Sequence, residues 1–412
     1  MVETITVIYL FYIFISLYVL SLYIMIYISH RKDFFSYPQP KREYSLDMIV
    51  PCYNEGKTIE KTINALLNSD YKGLKKIIVV DDNSTDNSFE IIKNLAKNNP
   101  KIIAVRTPKN TGKASGSKNY GVKFATSELI GFSDGDSFPD EESISQMVGF
   151  FNESKVGAVT SSVLVSNDNN LLERFQAIEY RVIVFTRKLL GFVDGIYVTP
   201  GPLAIYKRSI FNEIGGFDEN NLTEDIEITW NLVSRNYSIK MSPAAKVYTE
   251  VPSNIKSWLK QRQRWNIGGV QTIKKYRKSF LKKGMLGSFI LPFFVISWIV
   301  GISGLLILFY RLIQSIIVNI LTAKYSIQNQ AALLNLRNIN LVPDVLFFFG
   351  ALILLVSLIF TIVALKYTTD DKKFKKIGLL SFLGYTFVYL IAYPINIIIS
   401  VYKVIFKRKY SW

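Results

Sequence analysis

Apolar and polar positions follow two different patterns along this chain. Residues 4–28 form an uninterrupted apolar run, and further long apolar runs occupy residues 285–310, 345–365 and 377–401. Each run is long enough for a helix to cross the ~30 Å hydrocarbon core of a membrane. Between the first and second runs, short apolar stretches alternate with helical patterns. We therefore predict an aqueous domain between one N-terminal span and three C-terminal spans.

The first apolar run has the features of an uncleaved anchor. A secretory signal peptide needs a basic start and a small-residue cleavage site. This run instead begins after Glu3 and ends at His30, and basic pairs follow at residues 31–32 and 41–42. Basic residues next to a span favour the cytoplasmic side of the membrane. We therefore expect the domain that follows to be cytoplasmic.

Residues 46–132 have the alternating pattern of an α/β domain. The predicted strands are residues 46–50, 76–80, 102–105 and 129–132, and the predicted helices are residues 58–67, 84–96 and 115–125. Strands that alternate with helices indicate a mostly parallel, Rossmann-like sheet that is covered on both faces. Ligands of such sheets bind beyond the carboxyl ends of the strands.

The pattern is less regular up to residue 284. It predicts a helix at 141–151, a strand at 156–163, a tight loop at 199–202, and a helix that starts after Thr223 as its N-cap and ends near residue 235. A further helix is predicted at 171–190, and its apolar positions fit either the core or the membrane surface. Residues 257–276 are amphipathic and basic, which predicts one interfacial helix or a pair of them.

The C-terminal runs contain two prolines and a conflict over topology. Pro292 interrupts the second span, and Pro394 lies within the fourth. Five lysines between residues 366 and 376 favour the cytoplasm before the fourth run. Lys403 and the basic residues at 407–409 favour the cytoplasm after it as well. The fourth run is therefore either a crossing helix or a re-entrant one.

Composition agrees with a division into aqueous and membrane parts. Charged residues make up 20% of the chain although its mean hydropathy is +0.21, so the two populations must be separate. The net charge is +17, and residues 253–284 contain ten Lys or Arg and no acidic residue, directly before a span. This position favours anionic lipid as the partner, and we expect no nucleic acid.

Cysteine and histidine are too rare for several kinds of site. The chain has one cysteine, Cys52, and one histidine, His30, which lies beside a span. An intrachain disulfide, a zinc site with Cys and His ligands, and a Ser-His-Asp or Cys-His triad are therefore excluded. A metal ion would need carboxylate ligands, which favours Mg²⁺ or Mn²⁺.

Polar clusters follow each of the four predicted parallel strands. Five of their members are acidic: Glu55, Asp81, Asp82, Asp134 and Asp136. Asp, Asn and Ser also favour turns and helix caps, and such a structural role is enough to explain the presence of a pair such as Asn83-Ser84. Five carboxylates at one edge of a sheet, however, repel each other unless a cation is present. We therefore expect a divalent metal ion with a diphosphate at this edge.

Five motifs occur in order along the chain: residues 51–55 (PCYNE), 80–86 (VDDNSTD), 134–136 (DGD), 223–225 (TED) and Gln261-x-x-Arg264-Trp265. Together they resemble the motifs of the membrane-embedded family 2 glycosyltransferases, which include the synthases of cellulose, hyaluronan and poly-N-acetylglucosamine. Each motif is weak alone, but their order and membrane context are specific. The resemblance covers residues 45–271 and implies an α/β fold of the GT-A type. One span before and about three after it look most like the bacterial poly-N-acetylglucosamine synthases.

The resemblance also implies roles for individual residues. Asp225, with Glu224 beside it, would be the catalytic base, and Asp136 would ligate the metal. The nucleotide-sugar would be bound by Pro51, Tyr53, Glu55, Asp81, Asp82, Lys113, Asp134, Gln261 and Arg264. The acceptor would be bound by Trp265, Gly201 and Pro202.

Glycosyl transfer requires the same types of residue. A carboxylate can remove the proton from an acceptor hydroxyl, and a guanidinium with a divalent cation can stabilise a departing diphosphate. An indole covers the flat face of a sugar. Structural roles for the same residues stay open, because paired acids complement the dipole of a helix start and Arg264-Trp265 fits a membrane-interface belt.

Some residues depart from the pattern of the polymer synthases. Residues 112–121 (GKASGSKNYG) lack the usual Ala-Leu-Asn and look more like single-addition relatives. Gly135 stands where Ala is common, and Thr-Glu-Asp stands where hyaluronan synthases carry Gly-Asp-Asp. Residues 199–207 are nevertheless similar to the Gly-Pro-Leu segment of those enzymes. These differences leave the donor sugar and the processivity open.

The resemblance favours an inverting, processive transferase that extends and exports a polysaccharide from a UDP-sugar. One alternative is single addition to a polyprenyl phosphate or another lipid acceptor, and a second is a non-catalytic, polymer-conducting subunit. Expected partners are the nucleotide-sugar, a polysaccharide or lipid-linked acceptor, the bilayer and an accessory membrane subunit. The predicted divisions are an anchor (1–32), a GT-A domain (44–250), interfacial helices (251–284) and a C-terminal membrane region (285–412).

Overall fold

A computed structural model describes residues 4–282, 284–328, 345–368 and 378–406. Within these ranges, one mixed sheet with helices on both faces forms the aqueous domain, and long apolar helices lie against one side of it. The lysines at 372–376 and the basic residues at 407–409 lie outside the described ranges. The conflict over the topology of the fourth apolar run therefore stays as the sequence leaves it.

The four predicted parallel strands form one half of the sheet. They are β1 (Leu46–Cys52), β2 (Leu74–Asp81), β3 (Ile102–Arg106) and β4 (Leu129–Phe132), and the helices between them are α2 (Ile59–Leu67), α3 (Ser88–Asn98) and α4 (Ala114–Val122). Met48 and Val50 pack on one face of β1, and Ile49 packs on the other. Burial on both faces explains why these strands appear as continuous apolar runs.

The other half of the sheet is mixed. It contains β5 (Ser137–Pro139), β6 (Val156–Val165), β7 (Ala204–Lys207), which leads into the short helix α7 (Arg208–Glu213), and β8 (Ser238–Thr249). The complete order is β3-β2-β1-β4-β7-β6-β8-β5. β7 runs antiparallel to β4 and β6, whereas β6 and β8 are parallel. The strand order reverses between β1 and β4, and ligands of such sheets bind at this switch point.

Three local predictions need correction. The helix expected at 141–151 is a short α5 (Ser145–Val148) followed by a 3₁₀ turn (Gly149–Asn152), because the backbone of Gly149 passes against Pro38, where a Cβ would lie 1.7 Å from the carbonyl oxygen. α8 (Glu224–Ser234) does begin after Thr223, but the Thr223 hydroxyl does not cap it. No strand was predicted at β8, although its alternating burial follows the period of a strand.

The described residues contain four helices that are long and apolar enough to cross a membrane. They are α1 (Thr4–His30), α10 (Leu291–Gln328), α11 (Val345–Thr368) and α12 (Leu379–Ile405). Pro292 does not interrupt the second span as predicted. It lies at the start of α10, and the helix continues through it from a π-helical turn (Leu286–Ile290) directly before it.

Two helices connect the sheet to the apolar helices. α6 (Leu171–Gly191) packs against β8 through Lys188, which donates a hydrogen bond to the Met241 carbonyl. Phe185, also on α6, contacts Tyr27 of α1 and Phe360 of α11, with ring centroids 5.5 and 5.4 Å away. The open question about this segment is thus answered, because it packs on the core and on the apolar helices. α9 (Ile255–Tyr276) is one continuous helix that contacts α12.

Candidate active site

A cavity of about 620 Å³ lies between the carboxyl ends of the central strands and the apolar helices. The sequence motifs contribute Gly201, Pro202, Asp134, Asp136, Glu224, Asp225, Gln261, Arg264 and Trp265 to its walls. Side chains of three apolar helices line the same cavity, among them Tyr23 of α1, Trp298 of α10 and Tyr393 of α12. A single space therefore joins the polar residues of the sheet edge to the apolar helices.

Lys118 holds the acidic residues of two motifs together. Its Nζ lies 3.1 Å from Oδ1 of Asp134 and 3.0 Å from Oε1 of Glu224, and its side chain is only 3% exposed. Burial disfavours the charge of Lys118, but the two carboxylates raise its pKa, so the ammonium stays charged. We term this group the Lys118 bridge.

Lys118, and not Lys113, lines the cavity, and the predicted contact of Lys113 with the nucleotide-sugar stays a prediction. Lys113 donates hydrogen bonds to the backbone carbonyls of Glu219 and Asn221, at 2.7 and 3.5 Å, and does not line the cavity. Lys118 lies on the buried face of α4, so the glycine-lysine at its start does not identify the cavity residue. The departure of residues 112–121 from the pattern of the polymer synthases was the signal that could have found Lys118.

Glu224 and Asp225 are adjacent carboxylates with opposite acid–base properties. Burial and the neighbouring charge of Glu224 raise the pKa of Asp225 to about 6, while Lys118 and Arg264 act against both effects. Burial also disfavours the charge of Glu224, yet the contact with Lys118 and the nearby Arg264 lower its pKa. Near neutral pH, Glu224 is therefore a permanent charge, while Asp225 is a carboxylate basic enough to accept a proton.

Two consecutive glycines allow α9 to approach the start of α8. A Cβ on Gly268 would lie 2.1 Å from the Thr223 hydroxyl oxygen, so a larger residue would push the two helices apart. A Cβ on Gly269 would lie 3.2 Å from the indole of Trp298 on α10. Lys275 fastens the far end of the same contact, with Nζ 2.6 Å from Glu227. This packing brings Arg264 into the wall that carries Asp225.

The DGD segment crowds negative charge at the sheet edge. Burial, Asp134 and Glu55 raise the pKa of Asp136 to about 7. Gly135 fits here because a Cβ would lie 3.1 Å from the Pro51 carbonyl, and Gly201 fits because a Cβ would lie 2.5 Å from Asp134. These contacts fix the carboxylates close together, where each raises the cost of ionising the next.

This arrangement suits a divalent cation although it does not form a complete site by itself. No group of three or more His, Cys, Asp or Glu side chains in the described ranges is arranged to hold a metal ion. Asp134 and Asp136 offer the oxygen ligands that Mg²⁺ and Mn²⁺ prefer, and the rest of the coordination would come from phosphates and water. Burial and the neighbouring carboxylates raise the pKa of Asp136, and a cation bound beside it would favour the ionised form.

Asp81 and Asp82, predicted to contact the nucleotide, do not line the cavity. Arg106 forms an ion pair with Asp81, with 3.0 Å between Nε and Oδ2. The Asp82 carboxylate accepts hydrogen bonds from the hydroxyls of Thr107 and Thr111 at 2.8 and 2.7 Å. Both aspartates thus shape the loop beyond β3, and their contact with a nucleotide remains a prediction.

The remaining predicted donor residues also lie outside the cavity walls. Pro51 is part of β1, and Glu55 accepts a hydrogen bond from the Thr58 hydroxyl at 2.8 Å. The side chain of Tyr53 is 49% exposed. These residues lie at or just after the end of β1, near the switch point of the sheet. Their contact with the nucleotide-sugar stays a prediction.

A buried ion pair supports the Gln261–Trp265 segment and was not predicted. Arg262, on the opposite side of α9 from Arg264, pairs with Glu179 of α6, and Glu179 also accepts a hydrogen bond from Tyr389 of α12 at 2.8 Å. The Arg262 guanidinium lies 4.1 Å from the ring centroid of Trp265. The pair therefore fixes both the helix and the indole that lines the cavity.

Comparisons with known proteins bear on the fold and the motifs. Residues 47–215 match the family described as glycosyl transferase family 2. The poly-beta-1,6-N-acetyl-D-glucosamine synthase of Staphylococcus epidermidis is 32% identical over 292 residues, which are 69% of this chain and 70% of that protein. The synthase of the same description from Staphylococcus aureus (strain COL) is 33% identical over 253 residues, 60% of each chain.

A solved structure also matches nearly the whole chain. It is a mannosyltransferase from Pyrobaculum calidifontis in complex with GDP-Man and Mn²⁺, and the alignment covers 95% of this chain and 99% of that one. The TM-score is 0.57 and the sequence identity is 17%, so this likeness concerns the fold alone. The predicted α/β architecture of the GT-A type with additional apolar helices is thereby confirmed.

Proposed function

The chain belongs to glycosyl transferase family 2, and from this membership we propose that it transfers hexosyl units from a UDP-sugar to a growing polysaccharide and passes the product between its own apolar helices. The observation that carries the proposal is the shared cavity. Asp225 and side chains of α1, α10 and α12 line one continuous space. An acceptor that leaves the catalytic carboxylate therefore moves directly into the helices.

The donor would occupy the end of the cavity that carries the Lys118 bridge. Arg264 would bind the diphosphate through its guanidinium, which is suited to phosphate oxygens. Asp134 and Asp136 would hold Mg²⁺ or Mn²⁺, which would neutralise charge on the leaving diphosphate. The Lys118 bridge fixes Asp134 relative to Glu224 and so keeps the donor end and the catalytic end in register.

In the transfer step, Asp225 would accept the proton of the acceptor hydroxyl. The acceptor oxygen then attacks the anomeric carbon, the bond from that carbon to the diphosphate oxygen breaks, and the diphosphate leaves with the electron pair. Attack from the face opposite the leaving group inverts the anomeric configuration. A base with a pKa of about 6 is mostly ionised at neutral pH and still accepts a proton readily.

The acceptor would lie against Trp265 and the Gly201-Pro202 backbone, all of which line the cavity. The aromatic ring covers the apolar face of a sugar, and the backbone leaves room for a chain beside Asp134. Basic residues of α9 and the pairs at 31–32 and 41–42 favour a catalytic domain on the cytoplasmic side, where nucleotide-sugars are made.

Single addition to a lipid carrier is the second candidate function. The observation that favours it is the apolar part of the cavity wall, where Tyr23, Phe293 and Trp298 would suit an isoprenoid chain as well as a sugar. A non-catalytic, polymer-conducting role is the third. The ion pairs of Lys118 with Asp134 and Glu224, beside the carboxylate of Asp225, argue against a non-catalytic role.

Transfer of radiolabel by the purified full-length protein in lipid vesicles tests these functions. UDP-glucose, UDP-N-acetylglucosamine and GDP-mannose are supplied singly with Mn²⁺, and the products are sized on a gel. High-mass product from one UDP-sugar, absent in Asp225→Asn, is the expected result. A small product that organic solvent extracts would establish lipid glycosylation instead, and full cellular function of Asp225→Asn would establish the non-catalytic role.

A further inference from the structure

Arg187 is a buried cation for which the described residues supply no hydrogen-bond partner at Nε or Nη1. The residue lies on α6 and is only 5% exposed. Burial of a charged group without a partner is strongly unfavourable, so buried cations in proteins are paired. Arg262, which is also buried, has Glu179 as its partner. Arg187 Nε and Nη1 therefore remain available as hydrogen-bond donors to a ligand that enters the cavity.

The position of Arg187 indicates where this group comes from. Arg187 lines the same cavity as Asp225 and lies beside Tyr180 and Tyr197. The ring of Tyr197 packs edge-on against Phe294 of α10 at a centroid distance of 5.5 Å. This end of the cavity thus faces the apolar helices, where a ligand with an apolar body is expected.

The donor end of the cavity has its own cations. Lys118 and Arg264 are the positive groups that act on Glu224, and Lys118 contacts Asp134 directly. The nearby groups that act on Arg187 are Tyr197, Asp225 and Tyr180. Asp225 therefore interacts with Lys118 and Arg264 of the donor end and also acts on Arg187.

We propose that Arg187 binds a phosphate group carried by a lipid acceptor, whose hydrocarbon chain lies between α1, α10 and α12. A guanidinium is suited to bidentate contact with phosphate, and its hydrogen bonds to an anion are strong in a site with little water. The inference rests on the glycosyl transfer proposed above and names the acceptor end. The same contact serves a carrier that receives one sugar and a carrier on which a chain is begun.

Equilibrium binding to the full-length protein in nanodiscs tests this proposal without turnover, because every variant carries Asp225→Asn. The probes are farnesyl phosphate, farnesol, inorganic phosphate and UDP. Arg187→Gln removes the charge, and Arg187→Lys keeps the charge but loses the planar fork. Arg181→Gln is the matched control, since Arg181 is a buried arginine on the same helix that does not line the cavity.

We expect Arg187→Gln to weaken farnesyl phosphate binding by about 10- to 100-fold, as the loss of charge-assisted hydrogen bonds predicts. Arg187→Lys should cause a smaller loss, while UDP and farnesol binding and the Arg181→Gln control stay unchanged. Loss of UDP binding together with loss of the cooperative melting transition would show that Arg187→Gln does not fold. In that case Arg187→Lys decides the question, again by comparing farnesyl phosphate binding with UDP binding.

Three results would overturn the proposal. Weaker UDP binding by a folded Arg187 variant, with farnesyl phosphate unaffected, would assign Arg187 to the donor diphosphate. Unchanged binding of every probe would make Arg187 a structural residue. Inorganic phosphate that binds as tightly as farnesyl phosphate would show a site for free phosphate. Because no transfer is measured, failure of the polymerase proposal and failure of this one remain distinguishable.

Discussion

The two ends of the cavity differ in how their charges are balanced. At the donor end, Lys118 lies between Asp134 and Glu224 at 3.1 and 3.0 Å, so each of these charges has a partner within the protein. At the end that faces the apolar helices, Arg187 lies among aromatic side chains, and its Nε and Nη1 are without a hydrogen-bond partner in the described residues.

This difference indicates what each end has to do. Charges that neutralise each other hold a site in shape before a ligand arrives, which suits a donor whose position must be fixed for transfer. A buried guanidinium with unused N–H groups gains hydrogen bonds when a ligand of opposite charge is present. Asp225 lies between the two ends and is the group on which changes at either end should converge.

Replacement of Asp225 should have the largest effect, since it removes the group shared by both ends. We expect Asp225→Asn to lower kcat by about 10²- to 10⁴-fold, because the amide cannot accept the acceptor proton. UDP affinity should change little, since Lys118 and Arg264 remain. Radiolabel transfer and UDP binding on the same preparation check both statements, and transfer at the wild-type rate would remove Asp225 from the mechanism.

Removal of the Lys118 bridge would abolish the charge balance of the donor end. We expect Lys118→Met to lower kcat/KM at pH 7 by about 10- to 100-fold, because loss of one partner of a buried ion pair costs ~3–5 kcal/mol and only part of it falls on catalysis. Lys118→Arg should restore most of the activity. Lys118→Met should also show a lower Tm, and an activity equal to that of the wild type would show that the bridge is dispensable.

The pH dependence of transfer should report the charge of Asp225. Since the carboxylate is the active form and its pKa is about 6, kcat/KM should rise about tenfold per pH unit below that value and level off above it. Lys118→Met should move this limb to higher pH, because the ammonium lowers the pKa of Asp225. Asp136 has a pKa of about 7 and would also contribute. Profiles at two Mn²⁺ concentrations separate the contributions of Asp225 and Asp136. Only a limb due to Asp136 should shift in pH when the Mn²⁺ concentration changes.

The smallest expected effect belongs to Lys113, the lysine that the motif itself suggested. Its Nζ binds the carbonyls of Glu219 and Asn221 outside the cavity. Lys113→Ala should therefore change kcat/KM by less than about threefold, in the range of ordinary surface substitutions. Lys118→Met, measured in the same assay, is the control. A larger loss of kcat/KM in Lys113→Ala than in Lys118→Met would show that Lys113, and not Lys118, supports transfer.

Local patterns were sufficient for the elements whose cause is local. Continuous apolar runs identified β1 to β4 because strands covered on both faces have few polar residues, and the four long apolar helices followed from length alone. The Glu224-Asp225 pair and the Gln261–Trp265 segment were also found, because each is a contiguous motif. β8 was missed because its buried residues alternate with partly exposed ones along much of its length, so its apolar pattern is weaker.

Contacts between distant residues were decided only by the tertiary structure. Lys118 and Glu224 are 106 positions apart and meet because α4 and the start of α8 both reach the wall of the same cavity. Arg187 belongs to a helix that the sequence left between core and membrane, and only the packing of α6 turns its side chain into the cavity. The sequence determined the strands, helices and contiguous motifs, since these depend on periodicity and neighbouring residues. Which buried charges are paired depends on how distant elements pack, and sequence spacing carries no record of that.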